Sequence, residues 1–427
     1  MLNNPGVFVS RGTRISQFVE SVNLYGITVM SLIQSLCLLL ASAHLLGRLA
    51  ERAGQPELLG HMLAGIVLGP ALLNWVQAST GLNALADFAV LFVVVTAGLE
   101  MRLRAVTDVF KGRGLFALLP GFLLPAALGL TLARYFDYNY VGSLVIALCV
   151  SVTALPVALR ILSSFGLLAT RIAQVTIAGA LLADVVVLLA LGMLSPSAHA
   201  GTQSLSMLLS LSALKLLALL VAVALGALLC KRIYRRHAWR KQQLAAAQLS
   251  FALLLILALA AVSELLGFHF AIGAFLGALI VSEYHSDTAD PHPLRTQVEG
   301  MSTHVFAPLF LASQGTHFTT DPFTHPGFIV SLVLVAIGSK LVGGYWSARL
   351  AGLPRNEAQG VAIVMNARGV MEMVVATIAY RAGLVDANLF STLLLIGVIT
   401  TVCTPILLKR WQKHASIVAS ASIPLDL

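Results

Sequence analysis

The amino-acid sequence predicts an all-α polytopic membrane protein of about thirteen crossing helices, two of them discontinuous. Three observations carry that expectation. Of 427 residues, 58% are hydrophobic and only 11% charged, with a mean hydropathy of +0.90, whereas roughly a quarter of the residues in soluble domains are charged. Apolar runs long enough to span a bilayer recur from about residue 26 to residue 409. Two of these runs are broken near their centres by polar or helix-disrupting residues. The composition excludes a water-soluble enzyme, a disordered chain and a fibrous repeat.

Runs of roughly 17 to 25 apolar residues between charged or turn-rich breaks define the elements. In chain order they fall near Ile27 to Leu49, Pro56 to Leu73, Leu82 to Leu99, Gly112 to Tyr135, Val141 to Leu162, Arg171 to Leu194, Leu205 to Cys230 and Gln243 to Leu266. The rest lie near Phe268 to Tyr284, Met301 to Gly315, Gly327 to Leu350, Ala358 to Ala382 and Asn388 to Leu408. Several are short, so a count of about twelve stays open.

An odd number of crossings puts the termini on opposite sides. Lys and Arg then collect on one side, from Arg48 and Arg52 through the run Lys231 to Lys241 to Lys409, Arg410 and Lys413, leaving Arg11, Arg14, Arg134 and Arg381 on the other. By the positive-inside rule the amino terminus is outside and the carboxyl terminus cytoplasmic. The net charge of +9 is therefore a topology signal, and nucleic acid is not an expected partner. Residues 1–22 read as an extracytoplasmic segment, 23–409 as the transmembrane domain and 410–427 as a short cytoplasmic tail. The amino-terminal stretch does not read as a signal peptide. Cys37, Cys149, Cys230 and Cys403 sit in apolar segments without metal or disulfide spacing.

The chain carries an internal repeat. Glu57-Leu58-Leu59-Gly60 opens the second run and Glu264-Leu265-Leu266-Gly267 precedes the ninth, with Ala64, Gly65, Leu68 and Gly69 answered by Ala271, Gly273, Leu276 and Gly277. An odd number of crossings separates the copies, so they run through the bilayer in opposite senses, as in secondary transporters. The repeats span roughly 27–195 and 243–409, with 205–230 as a linker helix. In this pairing the fifth run answers the twelfth. The fifth holds Ser151-Val152-Thr153-Ala154-Leu155-Pro156 and the twelfth holds Asn366-Ala367-Arg368-Gly369. Pro156 removes a backbone donor and Gly369 lowers the cost of unwinding. Unwound backbone inside a bilayer must be buried in protein or line a wet cavity, and matched breaks point to an ion site. A pair of ordinary kinks is the bland alternative.

Two ionisable residues are out of place. Asp184 is the lone polar residue in Ile177 to Leu194, and Lys340 is centred in Phe328 to Leu350 with only Ser339 polar beside it. A charge at the bilayer centre costs about 2.5 to 3.5 kcal/mol on the insertion scale. Their opposite signs suggest that they approach one another or share an aqueous cavity. Burial and a nearby ammonium act in opposite senses on a carboxyl group, a balance that lets one carboxylate hold either a proton or a cation. Glu372 lies four residues after Arg368, the spacing of a helical ion pair. Lys215 is expected to snorkel. Among the histidines, His44, His61, His269 and His304 form no metal pair, and no GxSxG elbow, Walker loop or CxxC occurs, so neither an enzyme nor a cofactor is expected.

Four stretches together resemble the second family of monovalent cation:proton antiporters, which includes glutathione-gated potassium efflux systems and plant cation/proton exchangers. They are PELLGHMLAGIVLGP from Pro56 to Pro70, TALPVALRIL from Thr153 to Leu162, LLADV from Leu181 to Val185 and MNARGVME from Met365 to Glu372. The resemblance implies an NhaA-like fold, usually dimeric, in which a mobile core moves against a scaffold. It implies that Asp184 binds cation and proton in turn, and that Thr153, with Ser151 as a weaker candidate, supplies oxygen at the first break. It makes Lys340 the basic residue near the site, with Pro156, Asn366, Arg368 and Glu372 supporting the broken helices. One departure is Ala183, where relatives place a polar or acidic residue before the aspartate; Ala180 offers no oxygen either.

The expected function is exchange of a monovalent cation, sodium or potassium, for protons across the inner or plasma membrane by alternating access. Sodium-coupled organic-anion symport on the same architecture and a non-transporting membrane sensor are the alternatives.

Overall fold

The computed structural model describes residues 31–100, 113–167, 170–197, 205–234, 245–285 and 293–421. The expected amino-terminal segment 1–22, most of the basic run from Lys231 to Lys241 and the end of the tail lie outside them. Every described element is helical. The chain order is α1 Leu32–Arg52, α2 Glu57–Leu68, α3 Thr80–Glu100, α4 Arg113–Tyr135, α5 Tyr140–Ser151, α6 Leu155–Ser164, α7 Arg171–Ser197 and α8 Leu205–Tyr234. There follow α9 Ala245–Leu265, α10 Phe270–His285, α11 Pro293–Met301, α12 Ala307–Gly315, α13 Pro326–Leu350, α14 Arg355–Val364, α15 Val370–Arg381 and α16 Ala387–Ala421. Among the described residues, 7 helices are long and apolar enough to cross a membrane, and α2, α5, α9 and α10 hold shorter apolar helical stretches.

The fifth and twelfth apolar runs are each split in two. Between α5 and α6, Val152 and Ala154 are extended, with ψ of 147° and 105°. Between α14 and α15 the helix stops at Val364 and restarts at Val370. Pro156 sits in the first turn of α6, where its missing N–H costs nothing because that turn has no acceptor for it. The tenth run also departs from its expected start at Met301. A helix begins at Pro293, passes through a π-helical turn at Ser302–Phe306 and continues to Gly315. The polar face of Pro293–Met301 hid it from a search for apolar runs. At the carboxyl end the helix runs past residue 409 to Ala421, since no Gly or Pro follows Leu408 before Pro424.

The helices sort into two bodies by their contacts. Helices α1, α2, α3, α9, α10, α11 and α12 pack among themselves, with α8 against α9 and α10; α4, α5, α6, α7, α13, α14, α15 and α16 form the second body. Contact between the two is sparser, running through pairs such as α12 with α15 and α10 with α7. In lipid, helices gain little from apolar burial and associate through close backbone approach at small residues. At the α2–α12 crossing, Gly65 faces the Ala312 carbonyl so closely that a Cβ would overlap it, and Gly315 faces Gly65 in return. Gly338 on α13 has open space where a Cβ would stand.

Gly65→Val is therefore expected to lower the melting temperature in detergent or abolish the monodisperse peak on size exclusion. Gly338→Ala, which removes only the backbone entropy that a helical glycine forfeits, is expected to leave both unchanged or improved. Equal tolerance at the two positions would contradict the packing described.

Candidate functional site

A broken helix in a low-dielectric interior leaves backbone donors and acceptors that must find partners. Here they find them in each other and in two cationic side chains. The Ala154 N–H donates to the Ala367 carbonyl at 3.0 Å, tying one break to the other. The Thr153 hydroxyl donates to the Met365 carbonyl at 3.0 Å. The last carbonyls of α5 are taken by the opposite break and by α13. Arg368 donates to the Cys149 and Val150 carbonyls at 2.6 and 2.7 Å, and Lys340 donates to the Ser151 carbonyl. Both cations face a helix carboxyl end, where the backbone dipoles favour positive charge.

Lys340 is fully buried, and its three donors have three acceptors: the Ser151 carbonyl, the Thr153 hydroxyl at 2.8 Å and, more distantly, the Gly121 carbonyl at 3.4 Å. Arg368, also fully buried, adds an ion pair to Glu372 at 3.0 Å. Glu372 lies in the first turn of α15, where a carboxylate complements the helix dipole. Its second oxygen has no protein partner, and a Cβ at Gly397 would stand 3.1 Å from it. Thr401 donates to the Arg368 carbonyl at 2.8 Å, and the Asn366 amide reaches Thr404 at 3.5 Å.

Asp184 sits on α7, the helix that packs against all four half-helices, α5, α6, α14 and α15. It is wholly buried, and neither carboxylate oxygen has a hydrogen-bond partner in the protein. It interacts electrostatically with Lys340, but the ammonium spends its hydrogen bonds elsewhere. The sequence-predicted residues are thus gathered at the crossing, though with different partners from those expected. Ser151 turns its hydroxyl onto the Ala147 carbonyl of its own helix at 2.6 Å and offers its main-chain oxygen instead. Thr153 joins the two breaks. Further buried oxygens without a protein partner are Asn366 Oδ1, Ser339 Oγ on α13 and Thr176 Oγ1 on α7. The Gly121 carbonyl was missed in the sequence, and so was Thr176, which stands about 12 Å from Asp184 along α7. Thr176, two turns before Asp184, is the next polar residue on that helix and was the available signal; a backbone carbonyl such as Gly121 has none.

A cavity of about 470 Å³ lies on the seam between the two bodies. It runs from Glu57, His61 and Arg160 past Thr96, Thr303 and Ser302 of the π-helical turn to Val157 and Val370 beside the two breaks; Asp184 does not line it. Ion pairs cross the seam. Arg160 of α6 reaches Glu51 of α1 at 2.9 Å and Glu57 of α2 at 3.1 Å. Arg381, at the far end of α15, pairs with Asp87 of α3. The chain traverses α2 between these two clusters, which places them toward opposite ends of the bundle.

A family model for transmembrane sodium/hydrogen exchangers matches residues 38–413. The chain belongs to that family. Its members are transporters and not enzymes. The chain is 27% identical over 387 residues to a Na(+)/H(+) antiporter of Enterococcus hirae, covering 90% of this chain and 99% of that one. It is 28% identical over 378 residues to the Na(+)/H(+)-K(+) antiporter GerN of Bacillus cereus, covering 88% and 94%. The fold is similar to the sodium proton antiporter MjNhaP1 of Methanocaldococcus jannaschii at pH 8, with a TM-score of 0.66, 14% identity and coverage of 91% of this exchanger and 99% of that chain.

In this exchanger, removing Arg368 strips the Cys149 and Val150 carbonyls and Glu372 of their shared partner. Arg368→Gln is expected to cost about 3 to 5 kcal/mol, as for other broken buried pairs, read as a fall in melting temperature. Arg368→Lys should not restore it, because a single ammonium cannot reproduce the fork that serves two carbonyls and a carboxylate. Full stability of the lysine variant would refute the clamp.

Proposed function

We propose that this family member exchanges a monovalent cation, sodium or potassium, for a proton by alternating access, with Asp184 holding either one. The observation that carries the reading is a wholly buried carboxylate, unpartnered at both oxygens, on the helix that touches all four half-helices. A partnerless buried carboxylate is costly, and either a proton or a bare cation relieves that cost. The two cannot occupy it together, and that exclusion couples the two fluxes. Asn366 at the second break and Ser339 beside Lys340 are further buried oxygens without a protein partner. Thr153 joins them only if Lys340 releases it. The names of the Enterococcus and Bacillus relatives support the choice of ions.

The finer architecture belongs to the same proposal. We take the scaffold as α1 to α3 with α9 to α12, the mobile core as α4 to α7 with α13 to α16, and α8 as the linker, in about thirteen crossings of inverted-repeat, NhaA-like topology. The expected homodimer, the amino terminus outside, the inner or plasma membrane and the placement within the second antiporter family are further parts of it. Likeness to the Arabidopsis Cation/H(+) antiporter 17, 26% identical over 411 residues, supports the last.

One-for-one exchange is the simplest cycle consistent with a single shared carboxylate. Asp184, Glu372, Lys340 and Arg368 sum to zero when all are ionised, and the donors of Lys340 are satisfied by oxygens other than those of Asp184. In a cycle in which Lys340 stays protonated while cation and proton trade places on Asp184, both loaded states carry the same charge.

In proteoliposomes, Asp184→Asn is expected to abolish sodium- or potassium-induced proton release while the protein still elutes as a folded peak. Wild-type rates from that variant would end the proposal. With the membrane potential set by a gradient of the permeant anion thiocyanate and the cation gradient held fixed, proton flux should be the same at inside-negative and inside-positive voltage; a marked acceleration by one polarity would reject the one-for-one cycle while leaving the role of Asp184 standing.

A further inference from the structure

On the outer face of the second body, away from the seam, α13, α14 and α16 enclose a groove of about 390 Å³ lined by Val342, Trp346, Gln359, Ile363 and Trp411 among others. Its walls are apolar and open outward. Val342 and Trp346 are 50% and 55% exposed, and Trp411 closes one side by packing on α14 where Gly360 leaves room. In a bilayer such a groove is covered by lipid, and its ends indicate which kind. The lining residues lie in stripes along their helices, and each stripe runs into a cation. On α13, Val342 and Trp346 lead to Arg349; on α14, Ile363 and Gln359 lead to Arg355 one turn further out. On α16, Lys409 and Arg410 adjoin Trp411.

Arg349, Arg355, Lys409 and Arg410 are exposed, and none is paired with a carboxylate among the described residues. Arg349 uses one nitrogen to cap the Leu353 carbonyl and keeps its other donors. Glu357, the acid of the same first turn of α14, has one carboxylate oxygen fully buried. The helix opens at Pro354 without a side-chain cap, so its amino-terminal amides add to the positive field.

We propose that this groove binds an anionic phospholipid, with an acyl chain along Val342, Trp346, Ile363 and Trp411 and the phosphate held by Arg355 with Arg349, Lys409 or Arg410. Basic clusters at the end of an intramembrane groove recognise such headgroups, each cation contributing through the negative surface field. Two aromatic side chains at the mouth suit the interfacial depth of a headgroup. The bound lipid would fasten to α14, the half-helix that ends at the second break.

The test is binding to the purified full chain in neutral detergent, read by native mass spectrometry and by melting temperature. Dioleoylphosphatidylglycerol is expected to remain bound and raise the melting temperature, whereas dioleoylphosphatidylcholine and free glycerol phosphate do neither. Arg355→Gln combined with Arg410→Gln should weaken phosphatidylglycerol binding about thirty-fold. Val342→Trp, at a half-exposed position, should displace it by filling the groove. Equal effects of the two phospholipids, binding of glycerol phosphate alone, or undiminished binding by both variants would overturn the proposal.

Discussion

The rest of the structure depends on how the severed end of α5 is satisfied. Its last three carbonyls, from Cys149 to Ser151, are bonded to side chains from other elements inside the bundle in place of a continuing helix. Arg368 and Lys340 supply the donors. Each cation in turn would be prohibitive to bury alone, so the broken helix and the buried charges are solutions to one another. The arrangement also fixes the relative position of the half-helices, because Arg368 belongs to one break and bonds to the other while Lys340 arrives from a third helix.

Within that frame Asp184 is the exception. Every other charge at the crossing has a protein partner at close range, and the carboxylate on α7 has none. A tightly hydrogen-bonded crossing thus surrounds one unsatisfied group. The seam between the two bodies is by contrast thinly bonded. It carries the cavity, the π-helical turn at Ser302–Phe306 and exposed ion pairs, each of which is easier to rearrange than the crossing itself.

Much of this was legible in the sequence because the bilayer makes certain residues expensive. Asp184 and Lys340 stood out as isolated charges in apolar runs, and Pro156 and Gly369 marked the two breaks. The partner of Lys340 was not legible. Opposite charges suggested Asp184, but the ammonium is held largely by main-chain oxygens, and a carbonyl has no signature in residue type. Arg368 and Glu372 read as one turn of helix, yet Arg368 lies in unwound backbone and its other bonds reach across to α5. The pairing of Arg160 with Glu51 and Glu57 joins residues more than 100 positions apart, which no local pattern announces. The helix at Pro293–Met301 escaped because its composition is polar, where the apolar criterion is silent.

The ion pairs across the seam have one further consequence. Arg160 with Glu51 and Glu57 lies toward one end of the bundle and Arg381 with Asp87 toward the other, and all are partly exposed to solvent. Exposed pairs are shielded by dissolved electrolyte over a Debye length of about 8 Å at physiological strength. The Arg160 pairs, at 2.9 and 3.1 Å, are shorter than that length, so the two bodies are joined at their rims by contacts that salt weakens without abolishing.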